Sequence, residues 1–266
     1  MRYKKSLGQN FLINESVLPE IINAAEIKPG DVVIEVGPGL GILTGALLSA
    51  GAKVFAIEKD FDLIAYLTKK FGSNKNLKIV HQDALFFDFS HFERYKVVAN
   101  LPFNIASPLI RKFLESQNQP ELMVLMIQKE VAEKITAKPG NRERGILTLS
   151  VEFYGSSEII ATVPKTSFRP QPKVDAAIIK IEPYRDHRVG GLEQVESKLF
   201  FRIVKAGFSA KRQQIHNSLA ATLRLPKDQV KDILTRSSID STKRAEDLTL
   251  KDWVNLSKTF KSSTDN

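Results

Sequence analysis

The segment Asp31–Leu48, DVVIEVGPGLGILTGALL, constrains this chain more than any other. A short apolar run, Val32–Val36, ends in three glycines within five positions (Gly37, Gly39 and Gly41) and passes directly into an apolar helical pattern. Near-continuous runs of Val and Ile mark strands buried on both faces of a parallel sheet. Glycines at the following turn let the backbone bend sharply and approach a ligand, and the helix behind it presents unpaired N–H groups. An open α/β sheet with a ligand at the carboxyl edge of its strands accommodates all three features.

The pattern continues along the first 183 residues. Apolar runs at Val32–Val36, Val54–Glu58, Leu77–His81, Lys96–Ala99 and Leu122–Ile127 predict strands. Between them Ile42–Ala50, Phe61–Phe71, Pro108–Glu115 and Lys129–Ala137 carry helical periodicity, while Phe86–Tyr95 is less clearly helical. Two further runs, Leu147–Tyr154 and Val174–Ile181, are separated by a Gly/Ser/Pro-rich stretch and are expected to close one sheet edge as an antiparallel pair. After Pro183 the strand signal stops. Residues 184–266 hold 16 Lys and Arg against 10 Asp and Glu, so they carry most of the chain's net charge of +9. Helical patterns follow at Gln194–Ala206, Gln213–Leu223, Asp228–Thr235 and Leu250–Phe260, with Pro226 placed as a helix start. Two domains are expected: an α/β domain over 1–183 and a small all-helical domain over 184–266.

Composition removes several chemistries. With no cysteine there is neither a thiol nucleophile nor a Cys-ligated metal, and the four histidines (His81, His91, His187, His216) have no metal-ligand spacing. No metal site is expected. No apolar run approaches the roughly 18 residues of a membrane span, and MRYKKSLGQNFL has no apolar core to make a secretory signal. The expectation is a cytoplasmic protein, monomeric, with no membrane partner and a polyanion as its target.

The glycine spacing narrows the cofactor. A dinucleotide fold wants G-x-G-x-x-G, whereas Gly37, Gly39 and Gly41 make G-x-G-x-G, preceded by Glu35 on the strand. The pattern E-x-G-x-G-x-G resembles motif I of methyltransferases that use S-adenosylmethionine. In that reading Glu35 orients the loop or the cofactor's amino group. Glu58, at the end of the second strand, suits hydrogen bonds from both ribose hydroxyls. Gln82-Asp83-Ala84, after the third strand, offers an acceptor for an adenine amino group. An antiparallel pair at the end of the sheet is similar to the class I methyltransferase fold rather than to a dehydrogenase.

After the fourth strand comes Asn100-Leu101-Pro102-Phe103. Pro102 fixes its own φ and keeps Leu101 out of the helical region. The Asn100 side-chain oxygen and the Leu101 carbonyl are two acceptors that together hold the two N–H groups of an exocyclic adenine amine, turning its lone pair toward a methyl donor, while Phe103 stacks on the extruded base. Positioning does most of the work, so no strong base is needed. The missing cysteine argues against methylation at cytosine C5.

Taken together these motifs resemble the ribosomal small-subunit RNA dimethyladenosine transferase family, relatives of which include the erythromycin-resistance rRNA methyltransferases. The resemblance covers essentially the whole chain: SLGQNFL at Ser6–Leu12, EVGPGLG, Glu58, Gln82-Asp83, Asn100–Phe103, SFRPQPKVD at Ser167–Asp175, FSAKR at Phe208–Arg212, and RAEDL at Arg244–Leu248 with Asp252-Trp253. It implies transfer of four methyl groups from S-adenosylmethionine to the N6 atoms of two adjacent adenosines in the 3′-terminal hairpin loop of 16S rRNA, within a small-subunit assembly intermediate. It also implies that Asn10 and Leu12 touch the cofactor from an N-terminal lid and that Gly37 lines its methionine part. Glu58 holds the ribose, Asp83 the adenine, and Asn100 faces both cofactor and target. Phe168 stacks on the target base opposite Phe103. One departure is Phe103 itself, where the family usually has tyrosine; the ring face is kept and the hydroxyl lost. Lys198, Arg202, Lys205, Lys211 and Arg212, five cations in fifteen residues without an acid, are the expected RNA contacts. Three other readings stand beside this one: methylation of 23S rRNA, a non-catalytic RNA-binding assembly factor of the same fold, and an NAD-dependent dehydrogenase, which the glycine spacing disfavours.

Overall fold

The computed structural model describes residues 9–184 and 195–264. Its main sheet has seven strands: β2 (Val32–Val36), β3 (Lys53–Glu58), β4 (Leu77–His81), β5 (Lys96–Asn100), β6 (Leu122–Gln128), β7 (Gly155–Val163) and β9 (Ala176–Pro183), in the order β4-β3-β2-β5-β6-β9-β7. The strands β4 through β6 run parallel, and β9 lies antiparallel to both β6 and β7. The five strands expected from the sequence are all present, and the α/β class with an antiparallel ending holds. Six of the seven residues of the central strand β6 are buried, which is why its sequence, LMVLMIQ, has no polar alternation. The order reverses at β2, with β3 on one side and β5 on the other, and this is where an open parallel sheet leaves a crevice beyond its carboxyl ends.

The crossovers are α2 (Ile42–Ser49), α3 (Phe61–Phe71) and α4 (Ala106–Leu114), preceded by α1 (Leu18–Ala24). In α4 the buried residues Leu109, Ile110, Phe113 and Leu114 make one apolar stripe. No regular helix joins β4 to β5. There Phe87, Phe89 and Phe92 pack with Phe55, Tyr95 and Phe113, ring centroids 4.4–5.6 Å apart, and cover the sheet in a helix's place. A separate two-stranded ladder joins β1 (Phe11–Leu12) to β8 (Phe168–Arg169).

One expectation is corrected. Leu147–Tyr154 is not the edge strand; it lies in helix α6 (Ile146–Tyr154), and the strand that pairs with β9 is the next segment, β7. Both segments mislead for a physical reason. Helix α6 is buried on nearly every side, so its apolar run has no helical period to read. Strand β7 is a sheet edge with a bulge between Ile159 and Ala161, and Ser156, Glu158, Ile159 and Ile160 are exposed.

The chain divides into two compact units, 1–133 with 155–183 and 134–154 with 184–266. Composition draws a single boundary, after Pro183; the chain passes between units there and also after Glu133 and Tyr154. The first unit contains the sheet, and the residues of α5 (Lys129–Ile135) straddle the boundary after Glu133. The second holds α6, α7 (Ser197–Gly207), α8 (Ile215–Leu223), α9 (Lys227–Arg236), which Pro226 caps, and α10 (Leu250–Thr264). Its interior is built on aromatic contacts of Phe153 with Phe200 and Phe201 and of Trp253 with Phe208. Arg144, fully buried, is held by Glu152 at 2.6 and 2.7 Å and by the Ala137 and Leu248 carbonyls.

Candidate active site

Gly37, Gly39 and Gly41 all have positive φ, at 67°, 57° and 72°. Each lets something approach that a side chain would exclude. A Cβ on Gly37 would meet the Pro102 ring at 3.3 Å, one on Gly39 the Phe11 ring at 2.8 Å, and one on Gly41 the Phe71 ring at 2.6 Å. The glycine loop is thus the meeting point of the N-terminal strand, the Asn100–Phe103 turn and α3. Around it, beyond the carboxyl ends of β2, β3, β4 and β5, lies an open cleft whose empty space, with the solvent at its mouth included, is about 1120 Å³.

Most of the residues singled out by sequence line this cleft: Asn10 and Leu12 from the N-terminal segment, Glu35, Gly37 and Gly39 from the glycine loop, Glu58, Asp83 and Ala84, and Asn100–Phe103. The strand ends bring them together. Glu35 is 1% exposed, and Thr44 Oγ1 donates to its Oε2 at 2.6 Å. Burial, with Glu58 nearby, pushes the Glu35 carboxyl up to about 8. Glu58 Oε1 accepts the Lys59 and Asp60 backbone N–H groups, both at 2.8 Å, and burial raises its pKa despite those bonds. Asp83 is set differently. Lys59 Nζ lies 2.8 Å from its Oδ2 and the Leu85 N–H donates to its Oδ1, and chiefly the lysine holds its pKa below the usual carboxylate range.

The tetrapeptide is anchored through its backbone and its first side chain. Leu101 N–H donates to the Met126 carbonyl at 3.0 Å. Asn100 Nδ2 donates to the Asn10 carbonyl at 3.4 Å. That donation fixes which end of the carboxamide is the acceptor, and among the described residues no donor reaches Asn100 Oδ1 or the Leu101 carbonyl. Phe103 is half-buried on the cleft wall, with its ring also against the core.

Phe168 lies apart from the other candidates in this structure. The resemblance gives it a face for the target base, but its side chain is 3% exposed, in the core with Leu12, and does not line the cleft. The β1–β8 ladder pairs Phe168 with Leu12, and both turn inward. In this conformation it offers no face for stacking.

Several residues at the site carry no signal in the sequence reading. Lys59 pairs with Asp83. Lys112 Nζ, on α4, donates to the Ala84 and Leu85 carbonyls at 3.3 and 2.6 Å and braces the loop that bears Asp83. Lys70 does the same for the glycine loop, donating to the Leu40 carbonyl at 2.8 Å. Only long-range pairing creates these contacts; adjacency in the sequence does not announce them.

The cation candidates lie in the helical unit. Lys198, Arg202 and Lys205 are exposed on α7 at spacings of four and three, hence on one face; Lys211 and Arg212, exposed, follow it. Among the described residues none of the five has a carboxylate within ion-pair distance. Also among the described residues, no helix is long and apolar enough to cross a membrane, and no group of three His, Asp or Glu could hold a metal ion.

The model of the ribosomal RNA adenine dimethylase family matches residues 1–262. Ribosomal RNA small subunit methyltransferase A of Dehalococcoides mccartyi is 42% identical over 260 residues, covering 96% of this chain and 88% of that one. The protein of the same name from Fusobacterium nucleatum is 42% identical over 97% of this chain and 98% of its own. Among solved structures, a dimethyladenosine transferase from Plasmodium falciparum superposes with a TM-score of 0.82 at 29% identity, covering 96% of this chain and 98% of that one. The 23S rRNA methyltransferase ErmE does so with a TM-score of 0.72 at 25% identity, over 95% and 100%.

Proposed function

This chain belongs to the ribosomal RNA adenine dimethylase family, and from that premise we propose that it transfers methyl groups from S-adenosylmethionine to N6 of two adjacent adenosines in the 3′-terminal hairpin loop of 16S rRNA. The substrate would be a small-subunit assembly intermediate. The observation that carries this reading is the pair of acceptors, Asn100 Oδ1 and the Leu101 carbonyl, which have no donor among the described residues while the Asn10 carbonyl holds the carboxamide.

The cleft fits the donor. Its glycines take positive φ, which lets the loop turn tightly beside the space the cofactor would fill. Glu58 is oriented by two backbone N–H groups on one oxygen, which supports a grip on two ribose hydroxyls. Each oxygen of Asp83 holds one partner and has a second lone pair for an adenine amine. Asn10, Leu12 and Gly37 would line the remainder of the molecule. When bound, the cofactor supplies an electrophilic methyl group on a sulfonium, whose departure requires no acid. Asn100 and Leu101 accept the two N–H groups of the amine and so turn its lone pair out of the purine plane. Phe103 gives the base a hydrophobic face. These residues act by orientation and by fixed dipoles; methylation would leave the nitrogen cationic, and its extra proton would then pass to solvent. The cations of α7, with Lys211 and Arg212, would contact phosphates.

The test is methylation of small-subunit particles from cells lacking this activity, read by mass spectrometry of the 3′ hairpin. Two dimethylated adenosines are expected. Label in large-subunit RNA instead, or none in either, would overturn the assignment.

A further inference from the structure

The β1–β8 ladder sorts its four side chains onto two faces. Leu12 and Phe168 are directly opposite and both lie in the core. Phe11 and Arg169 form the other pair, and residues opposite each other in an antiparallel ladder share a face. The Phe11 ring lines the cleft and lies over Gly39. Arg169 therefore shares the Phe11 face of the ladder, yet it is exposed where Phe11 is buried. Phe11 also follows Asn10, whose carbonyl holds the Asn100 carboxamide.

Two more exposed cations flank Arg169, Lys165 and Lys173. The nearby acid, Asp175, uses Oδ1 to accept the Lys165 backbone N–H at 2.9 Å. Among the described residues none of the three cationic side chains has a carboxylate partner within 4 Å. Three unneutralised cations thus stand on one nine-residue segment, and its middle one, Arg169, pairs with the cleft-lining Phe11.

From this placement we infer that Arg169, assisted by Lys165 and Lys173, holds the backbone phosphate of the nucleotide whose base occupies the cleft. The inference rests on the proposed RNA reading and adds a contact to it. An extruded base enters a pocket alone; its sugar and phosphates stay at the rim. A rim that must hold them needs donors there, and a guanidinium meets a phosphate through two parallel N–H groups. Arg169 is thus a positioning residue: it places the nucleotide, while Asn100 and Leu101 orient the amine.

The experiment uses the full chain and two probes, S-adenosylmethionine by calorimetry and an RNA hairpin with two adjacent adenosines in its loop by anisotropy over a salt series. Arg169→Gln is expected to weaken hairpin binding by about tenfold. It should also lower the slope of log affinity against log salt by about 0.7. Cofactor affinity and thermal midpoint should stay at wild-type values. Arg169→Lys should restore the slope but only part of the affinity, because an ammonium is a point charge. Unchanged hairpin affinity and slope in Arg169→Gln would overturn the assignment, as would an equal loss of cofactor affinity, which would make Arg169 a support for the lid strand. A wild-type chain that neither binds hairpin nor methylates small-subunit particles takes down the RNA reading itself, a result distinct from failure of the variant alone.

Discussion

The cleft and the outer face of α7 carry charge in opposite ways. In the cleft, Glu35 and Glu58 are 1% and 7% exposed, each oriented by hydrogen bonds, and burial shifts their pKa values upward. On α7, Lys198, Arg202 and Lys205 are exposed and have no acidic partner among the described residues. Burying a carboxyl group costs free energy that hydrogen bonds, a retained proton or a ligand must offset, so groups of the first kind suit one molecule in one pose. Exposed charges are screened and adjustable; they add to a field that draws a polyanion without reading it. Changes in the cleft should therefore act one residue at a time and steeply, and changes on the helix face gently and in sum.

The steepest effect belongs to Asn100. Replacing it by Ala removes one of two acceptors and the contact to the Asn10 carbonyl. The single-turnover methylation rate should fall by about a thousandfold, with affinity for small-subunit particles nearly unchanged. Equal losses in rate and affinity would make Asn100 a docking residue and erase the contrast between the two regions.

Glu35 tests the cost of burial. Its native pKa, about 8, lies above the ordinary carboxylate value of 4.5, so the folded chain keeps a proton there that the unfolded chain releases. Stability is then greatest at and below the lower value and declines as pH rises toward 8. The loss across that window is on the order of 5 kcal/mol. Glu35→Gln imitates the protonated group and keeps an oxygen for Thr44 Oγ1. Urea unfolding against pH should show a shallower decline in this variant; an unchanged decline would mean that Glu35 titrates normally and that its burial costs nothing.

These charged groups were legible from the sequence to different degrees. Glu35, Glu58, Asp83 and Asn100 stand at strand ends whose β-branched runs identify them, so their arrival in one cleft follows from the topology of a parallel sheet. Lys59, Lys112 and Arg169 were not legible. Their positions depend on a partner reached through the fold, 24 residues away for the Lys59–Asp83 pair and 28 and 27 for the carbonyls held by Lys112. Phe168 shows the converse. Its motif suggested a stacking face, but strand alternation sends Phe168 inward and its neighbour Arg169 outward, and nothing in SFRPQPKVD tells which. The edge strand β7 was misread because exposure on one side removes the apolar signal that identified the central strands.

Asp83 has an intermediate effect. Its ion pair with Lys59 joins side chains 21% and 59% exposed, and such a pair contributes little to stability. Asp83→Ala should leave the thermal midpoint near that of wild type while weakening S-adenosylmethionine binding by about 1–3 kcal/mol. Calorimetry decides. Unchanged binding would leave the carboxylate no role beyond neutralising Lys59.

The smallest effects should come from the helix face, and their smallness is the point. Each of Lys198→Gln, Arg202→Gln and Lys205→Gln removes one cation that has no ion-pair partner among the described residues, so each should cost well under tenfold in RNA affinity at moderate salt. Each should lower the salt slope by about 0.7 if it meets a phosphate. The three should add, because no shared partner couples them. Reversing Lys211 and Arg212 to Glu should lower the slope further, and cofactor binding should not respond to any of these changes. If one of these substitutions alone abolished RNA binding, the face would be a specific site with a fixed partner, and exposure would no longer distinguish it from the cleft. If the slope stayed constant through all of them, the attraction of this basic chain for its target would reside elsewhere, with the Lys165–Lys173 segment as the next place to look.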